Sequence, residues 1–522
     1  MRAIPPTRDL RTLLVRLWRH LSRRRREQFV LLLGLMVVSA FAEVVSLGAV
    51  VPFLGILVAP DRVFGYAFTA RLAHAWGLSS ARQLVLPLTV AFVVAAVMSG
   101  TIRTVLMWGI TRFSHGSGAE LSAEAYRRTL YQSYCVHVAR NSSKVVSIIT
   151  IKVLEAVNVL YMSLVLISSL LSVALITLAL IAIEPMVAAI AAVGFGSAYG
   201  LVMWMHRRRL QRNSQRIASE QTHVVKAIQE GLGGIRDVLL DGTQSVYCDI
   251  YSRADYPLRR AQGNSIFITQ SPRYVMDTLG MVLIAGLAYA LSLQPGGVAT
   301  AVPVLGTLAL GAQRLLPTLQ QCYSSWAGIA SGEAALADTL GMLDQPLPAD
   351  ALLPPPASLP FHDAARFVAV RFRYGSEGAW VLDGLDFTIR KGSRFGIVGV
   401  TGSGKSTTLD LLMGLLTPTE GEVLVDGEPV SGKRVRAWQR TIAHVPQTIF
   451  LADTTLAENI AFGVPREDID LERVRQAARQ AQIADFVESR DEGYDTLIGE
   501  RGVRLSGGQR QRIGIEIGRA HV

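Results

Sequence analysis

Charge is what this sequence has little of. Only 18% of its 522 residues are Asp, Glu, Lys or Arg and half are hydrophobic, whereas roughly a quarter of an average soluble protein is charged. That deficit excludes an ordinary water-soluble chain and points to membrane-embedded segments. Cysteine is scarce as well. Cys135, Cys248 and Cys322 are an odd number without metal-type spacing, so free thiols on a reducing side are expected. The charge that remains is mostly positive, with a net value of +11. Its basic residues flank apolar runs, which is the positive-inside pattern of membrane proteins, so no nucleic-acid partner is expected. The N-terminus also lacks the short apolar core and small-residue cleavage site of a signal peptide.

Long apolar runs are what the first two thirds of the chain has instead. A basic segment, Arg16-Leu-Trp-Arg-His-Leu-Ser-Arg-Arg-Arg-Arg26, precedes a run from Gln28 to Ala59 broken only by Glu43. That is ample for a span of about 20 residues. Five more spans are expected near 83–110, 156–183, 186–205, 274–294 and 298–326. Six spans put both ends on one side, and the basic N-terminus and His206-Arg-Arg-Arg-Leu-Gln-Arg212 mark that side as cytoplasmic. The outer links, Glu184-Pro185 and Gln294–Gly297, are short, while the inner segments 111–155 and 206–273 are long and polar. Three roles are open for Glu43: lining a substrate path, pairing with a base on a neighbouring helix, or facing an aqueous cavity. Pro52 is expected to kink its helix. Arg314 suits a snorkelling position near the inner interface.

After Leu343 the apolar character falls. Gln345-Pro-Leu-Pro348 and Leu353-Pro-Pro-Pro-Ala-Ser-Leu-Pro360 form a proline-rich connector that cannot be helical. The expected layout is a transmembrane domain over 1–344, a linker over 345–363 and a nucleotide-binding domain over 364–522. Phe367–Tyr374 and Val381–Ile389 alternate like strands, and Arg394–Val398 reads as a short apolar strand. It leads into Gly399-Val-Thr-Gly-Ser-Gly-Lys-Ser406, which fits the phosphate-loop pattern G-x-x-x-x-G-K-[ST]. Such glycines let consecutive backbone N–H groups turn onto phosphates, Lys405 adds a point charge and Ser406 offers a hydroxyl to Mg²⁺. The helical run Ser406–Leu416 follows, so the phosphates would meet a helix N-terminus.

About a hundred residues on comes Leu505-Ser-Gly-Gly-Gln509. With the phosphate loop, this stretch resembles the signature of the ATP-binding-cassette (ABC) superfamily. The six-span layout ahead of it is similar to an ABC exporter. The fold implied is an all-α transmembrane bundle of six helices, followed by an α/β P-loop NTPase domain of the ABC ATPase type, incomplete at its C-terminus.

The resemblance implies site residues one by one. Tyr374 would stack on adenine. Gly399, Val400, Thr401, Gly402, Ser403, Gly404, Lys405, Ser406 and Thr407 would hold the phosphates of ATP. Gln447, in His-Val-Pro-Gln-Thr, would reach Mg²⁺ together with Ser406 and contact the membrane domain. Lys405 and Gln447 are the catalytic candidates present. Ser506, Gly507, Gly508 and Gln509 would complete the site on a partner's nucleotide, so a homodimer is implied. Gly499-Glu-Arg-Gly502 is similar to the exporter loop that touches coupling helices, for which 138–144 and 230–242 are the candidates.

The family pattern continues beyond the signature through a strand ending in Asp, a catalytic Glu and a switch His, and none of these is in the sequence. Ile517–Val522 is what a common sequencing adapter encodes, ATC GGA AGA GCA CAC GTC, and native sequence is expected to end near Ile515. The function implied for the parent protein is ATP-driven export or flipping of a lipid-linked or amphipathic substrate across a bacterial inner membrane. The pattern Glu43…Pro52-Phe53 and Gln313–Gln320 look like lipid-linked oligosaccharide flippases. A multidrug or lipid A-type exporter and a non-hydrolysing ATP-binding membrane protein are the alternatives. No cysteine-protease segment stands at the N-terminus, which argues against cargo-processing peptide exporters.

Overall fold

The structure, a computed structural model, describes residues 10–58, 83, 85–183, 185–292, 297–348, 351–375 and 378–517. The chain divides into two compact units. One holds the described residues of 1–131 and 140–346, the other those of 132–139 and 347–522.

The first unit is helical. It opens with α1 (Leu10–His20) and the long α2 (Arg23–Val58), then α3 (Val85–Leu130). After the short α4 (Tyr134–Ala139), which groups with the second unit, come α5 (Ser142–Ser147) and a single π turn (Ile148–Lys152). The turn runs directly into α6 (Val153–Ile183). α7 (Pro185–Gly233), α8 (Ile235–Leu240), α9 (Gln244–Ser292) and α10 (Gly297–Leu343) complete it. Among the described residues, α2, α3, α6, α7, α9 and α10 are the six helices that cover the expected spans. Arg23–Ser46, Val85–Leu130 and Ser142–Ala182 are long and apolar enough to cross a membrane. The other three expected spans lie on α7, α9 and α10, where many side chains fall outside the described ones. So do those of Pro52 and Arg314, and the outer links at 184 and 294–296. The backbone of α2 runs through Pro52 as one helix.

Apolar residues on these helices face two environments. Val30, Leu31 and Phe41 stand out of α2 and Val93, Val97 and Trp108 out of α3, as expected for surface that lipid covers. The other faces interlock: Met36, Leu106, Ile110, Phe113, Leu164 and Leu336 share one core with Leu13, Leu17 and Leu21 of the α1 segment. Close helix approach is needed in places. A Cβ at Gly118 would lie 2.3 Å from Val157 Cγ2, and one at Gly332 would lie 2.4 Å from Val159 Cγ2.

In the second unit, β1 (Ala364–Phe372), β2 (Leu382–Arg390), β3 (Glu420–Val425) and β4 (Glu428–Pro429) form an antiparallel sheet ordered β2-β1-β3-β4. Its inner face packs Phe367, Val370, Phe372 and Val423 against Leu411 and Leu416 of the α11 segment (α11, Lys405–Leu412). Beyond α12 (Lys433–Gln439) lies a helical half made of α13 (Leu456–Ile460), α14 (Leu471–Gln480), α15 (Ala484–Glu488) and α16 (Gly507–Ile517). These share a core of Leu456, Ile460, Val474, Val487, Ile498 and Ile513. The starts of α13 and α14 are set by capping. Thr455 and Glu458 bond reciprocally in a capping box, and Asp470 accepts from the N–H groups of Glu472 and Arg473.

One expected element is not formed. Arg394–Val398 has no strand structure, and Val398 is 93% exposed. No described strand lies beside it, and an extended segment without a neighbour has nowhere to place its backbone hydrogen bonds.

Candidate nucleotide site

β2 and α11 frame the phosphate loop. Gly404 caps α11 with φ +86°, and Gly402 has φ +87°, conformations that side-chain-bearing residues rarely adopt. Space excludes a side chain at Gly404 as well: a Cβ there would lie 2.7 Å from Leu382 Cδ2 and 3.1 Å from the Val381 carbonyl oxygen. The loop therefore brings bare backbone to the N-terminus of an eight-residue helix, which is the arrangement an anion finds favourable. Val400 and Thr401 are exposed on its outer edge, as is Ser406 at the first turn.

Lys405 lies over this loop. Its Nζ donates to the carbonyl oxygens of Gly399 at 2.8 Å and Val400 at 2.7 Å. A lysine held by two neutral carbonyls is a cation without a counter-charge, directly above a row of glycines. Those residues fit a polyphosphate, whose charge would meet the ammonium group and the helix end together.

Tyr374, two residues beyond β1, leans edge-on against Phe372 with centroids 4.9 Å apart. Its hydroxyl lies 3.4 Å from Thr407 Oγ1. Thr407 is buried while Tyr374 stays exposed, so an aromatic face is available beside the loop helix. Gln447 is exposed in an irregular segment, and the structure gives no contact that brings it to the loop. On α11, burial pushes the Asp410 carboxyl up from its ordinary range, against the opposing influence of His444.

The signature lies in the helical half. Ser506 stands immediately before α16. Its N–H donates to Gln509 Oε1 at 2.8 Å, and the Gln509 N–H donates to Ser506 Oγ at 3.3 Å. This is a capping box: two orphan donors of the helix start are satisfied by the two polar residues of the signature. A Cβ at Gly507 or Gly508 would meet nothing within 4 Å. The small residues thus leave the helix end open to an approaching group, not packed against its own unit. The Ser–Gln reciprocity was missed in the sequence, although S-x-x-Q is its sign. Just ahead, Gly499 and Gly502 have φ of +73° and +66° and Arg501 has φ +54°, so Gly499–Gly502 is a tight turn. A Cβ at Gly502 would lie 2.6 Å from Leu451 Cδ1.

Within the helical unit, Glu43 is buried, pairs with Arg103 of α3 at 3.5 Å, and lines a cavity of about 430 Å³ beside Ser39, Ser169 and Ser172. Two of its three open roles, pairing and facing a cavity, hold together. Arg207–Arg209 are exposed on α7. Of the two coupling-helix candidates, 138–144 spans the end of α4 and the start of α5, and 230–242 contains α8.

Known proteins resemble this chain in sequence and in fold. The sequence profile described as ABC transporter matches residues 382–520. The ATP-dependent lipid A-core flippase of Chromohalobacter salexigens is 35% identical over 319 residues, which are 60% of this chain and 54% of that one. That of Cupriavidus metallidurans is 30% identical over 328 residues, 61% and 53% of the two chains. The chain therefore spans about half the length of these curated relatives. The structure of a bacterial Atm1-family ABC exporter with ATP bound superposes with a TM-score of 0.73 at 23% identity, covering 95% of this chain and 84% of that one. Residues 382–520 thus match the ABC transporter family, and the chain shares the fold of that exporter structure, a helical membrane domain followed by an ABC ATPase domain.

Proposed function

We propose that the intact protein is an ATP-driven exporter of an amphipathic lipid substrate, working as a homodimer with ATP and Mg²⁺ in a bacterial inner membrane. The observation that carries this is the pairing of two complementary anion-facing ends in one unit: the glycine loop under Lys405 and the open, capped start of α16. One chain offers each end once, so two chains facing head to tail would make two complete sites. ATP with Mg²⁺, when bound, supplies the phosphoryl-transfer chemistry.

The residues then divide the work. The N–H groups of Gly399–Gly404 would cradle the phosphates, with Val400, Thr401 and Ser403 contributing backbone only, and Ser406 and Thr407 would follow at the helix start. Lys405 would exchange its two carbonyl partners for the terminal phosphates, gaining a charge-assisted bond. Tyr374 would stack on the base. Ser406 and Gln447 are the Mg²⁺ candidates, and Ser506–Gln509 would reach the partner's nucleotide. The ATPase units lie on the cytoplasmic side, as the exposed Arg207–Arg209 support. Residues 138–144 and 230–242 remain the coupling candidates, and 1–344, 345–363 and 364–522 the functional divisions.

Relatives named lipid A-core flippases favour a lipid A-type substrate over a polyprenyl-linked oligosaccharide. The test is ATPase and flipping by the intact protein in liposomes containing one lipid or the other. Stimulation by the lipid A-type lipid is expected, and stimulation by polyprenyl-diphosphate sugars alone would overturn that preference. Lys405→Ala should lower turnover at least a hundredfold, since about 3 kcal/mol is typical for one transition-state charge contact. Undiminished hydrolysis by this variant would refute the site.

A further inference from the structure

We infer that α1 and the first turn of α2 form a binding site for an acidic phospholipid of the surrounding leaflet, with Arg19 and Arg24 taking its phosphate and Trp18 as the interfacial anchor. The inference rests on the membrane placement of α2 and is independent of the transport reading.

The depth of the site follows from α2. Its first residues, Arg23–Gln28, are polar, while Val30 and Leu31 are 64% and 75% exposed. Hydrocarbon must therefore begin within about a turn of residue 28. Trp18 is tied to that depth. Its ring meets Phe29 edge-on at 5.0 Å, and the Arg26 guanidinium lies over it at 5.8 Å. A half-exposed tryptophan at this level is where an amphipathic ring sits best.

The roll of α1 is fixed from the other side. Leu13 and Leu17, with Leu21 just beyond the helix end, are buried in the helical core. Arg16 and His20 both hold Asp344, at the end of α10. Val15, Trp18 and Arg19 are thereby left on the outward face. Arg26 also donates to the Arg19 carbonyl at 2.9 Å, which ties the start of α2 to the end of α1.

Most bases here are already engaged: Arg25 with Glu120 at 2.8 Å, Arg23 with Glu27 at 3.3 Å and Arg16 with Asp344. Arg19 and Arg24 are exposed, and neither forms an ion pair among the described residues. Two uncompensated guanidinium groups flank the turn at Leu21-Ser22, at head-group depth. A lipid phosphate with net negative charge answers both, and bidentate guanidinium contact suits it. A zwitterionic head group brings its own cation and gains less.

The experiment titrates the purified protein in detergent, without nucleotide, with phosphatidylglycerol, phosphatidylcholine or soluble glycerol 3-phosphate, counting bound lipid by native mass spectrometry. Phosphatidylglycerol should bind in preference to phosphatidylcholine. The double variant Arg19→Gln/Arg24→Gln should weaken that binding about 30-fold, from roughly fivefold for each basic group near an anionic surface. Arg19→Lys/Arg24→Lys should retain most of it. If the double variant does not accumulate, Arg24→Gln alone is read, with a loss of about fivefold. Unchanged affinity in the Gln variants, equal binding of phosphatidylcholine, or full competition by glycerol 3-phosphate would each overturn the site.

Discussion

Lys152 ends the π turn, and its side chain is 2% exposed with Nζ 2.6 Å from Asp338 of α10, which is 39% exposed. The pair is lopsided, and its two single mutants should differ for that reason. In Asp338→Asn, a buried ammonium loses its carboxylate partner, and water reaches it poorly. Breaking fully buried pairs costs about 3–5 kcal/mol. A half-open partner and the adjoining cavity of about 500 Å³ soften this to about 2 kcal/mol. Lys152→Met keeps an unbranched apolar stem in the same space and strands only Asp338, which rehydrates. Its cost should stay below about 1 kcal/mol. The double variant should resemble Lys152→Met, because the stranded charge is gone. In thermal unfolding followed by tryptophan fluorescence, Asp338→Asn should lower the midpoint by roughly 5 °C and Lys152→Met by no more than about 2 °C. A larger loss in Lys152→Met than in Asp338→Asn would show that burial of the ammonium is not what makes the pair matter.

That pair also marks a limit of sequence reading. Residues 148–152 carry a lysine among apolar neighbours, which reads equally as a solvated helix face. Only the turn's position against α10 shows the charge buried, and a partner 186 residues away leaves no local sign. The phosphate loop was legible because its chemistry demands glycine at fixed spacing, and the positive φ of Gly402 and Gly404 follows from that demand. β1 and β2 were legible from alternation, since one face is buried in β1 and half-buried in β2. Arg394–Val398 failed for the converse reason: periodicity states what a segment would bury, not whether a neighbouring strand stands beside it. Glu43 was recognisable as an anomaly in an apolar run, but its partner Arg103 comes from another helix, a pairing that tertiary structure alone creates.

Gly404→Ala should abolish nucleotide binding by fluorescent-ATP titration, because a methyl group 2.7 Å from Leu382 Cδ2 at φ +86° forces the loop apart; binding within twofold of the parent would contradict the cradle. Ser506→Ala and Gln509→Ala should each cost about 1 kcal/mol at the start of α16, read as faster amide exchange over 506–510. If only one of the two does so, the cap is not reciprocal. The last prediction concerns pH. Asp426, just after β3, accepts from the N–H groups of His362 and Asp363 at 2.7 Å and of Ala364 at 3.1 Å, tying down the start of β1. The N–H groups of Asp363 and His362 hold its carboxyl below the ordinary carboxylate range. A folded-state pKa below the unfolded one, about 3.9, gives stabilisation that is present above that value and lost as pH falls through the folded pKa. Asp426→Asn keeps one acceptor oxygen and no charge, so it should lower the urea midpoint at pH 7. As pH drops below about 4, the difference between parent and variant should shrink toward zero, because the parent loses the same charge. A gap that stays constant from pH 7 to pH 3 would mean that Asp426 acts through its backbone conformation, φ +52°, and not through its ionised carboxylate.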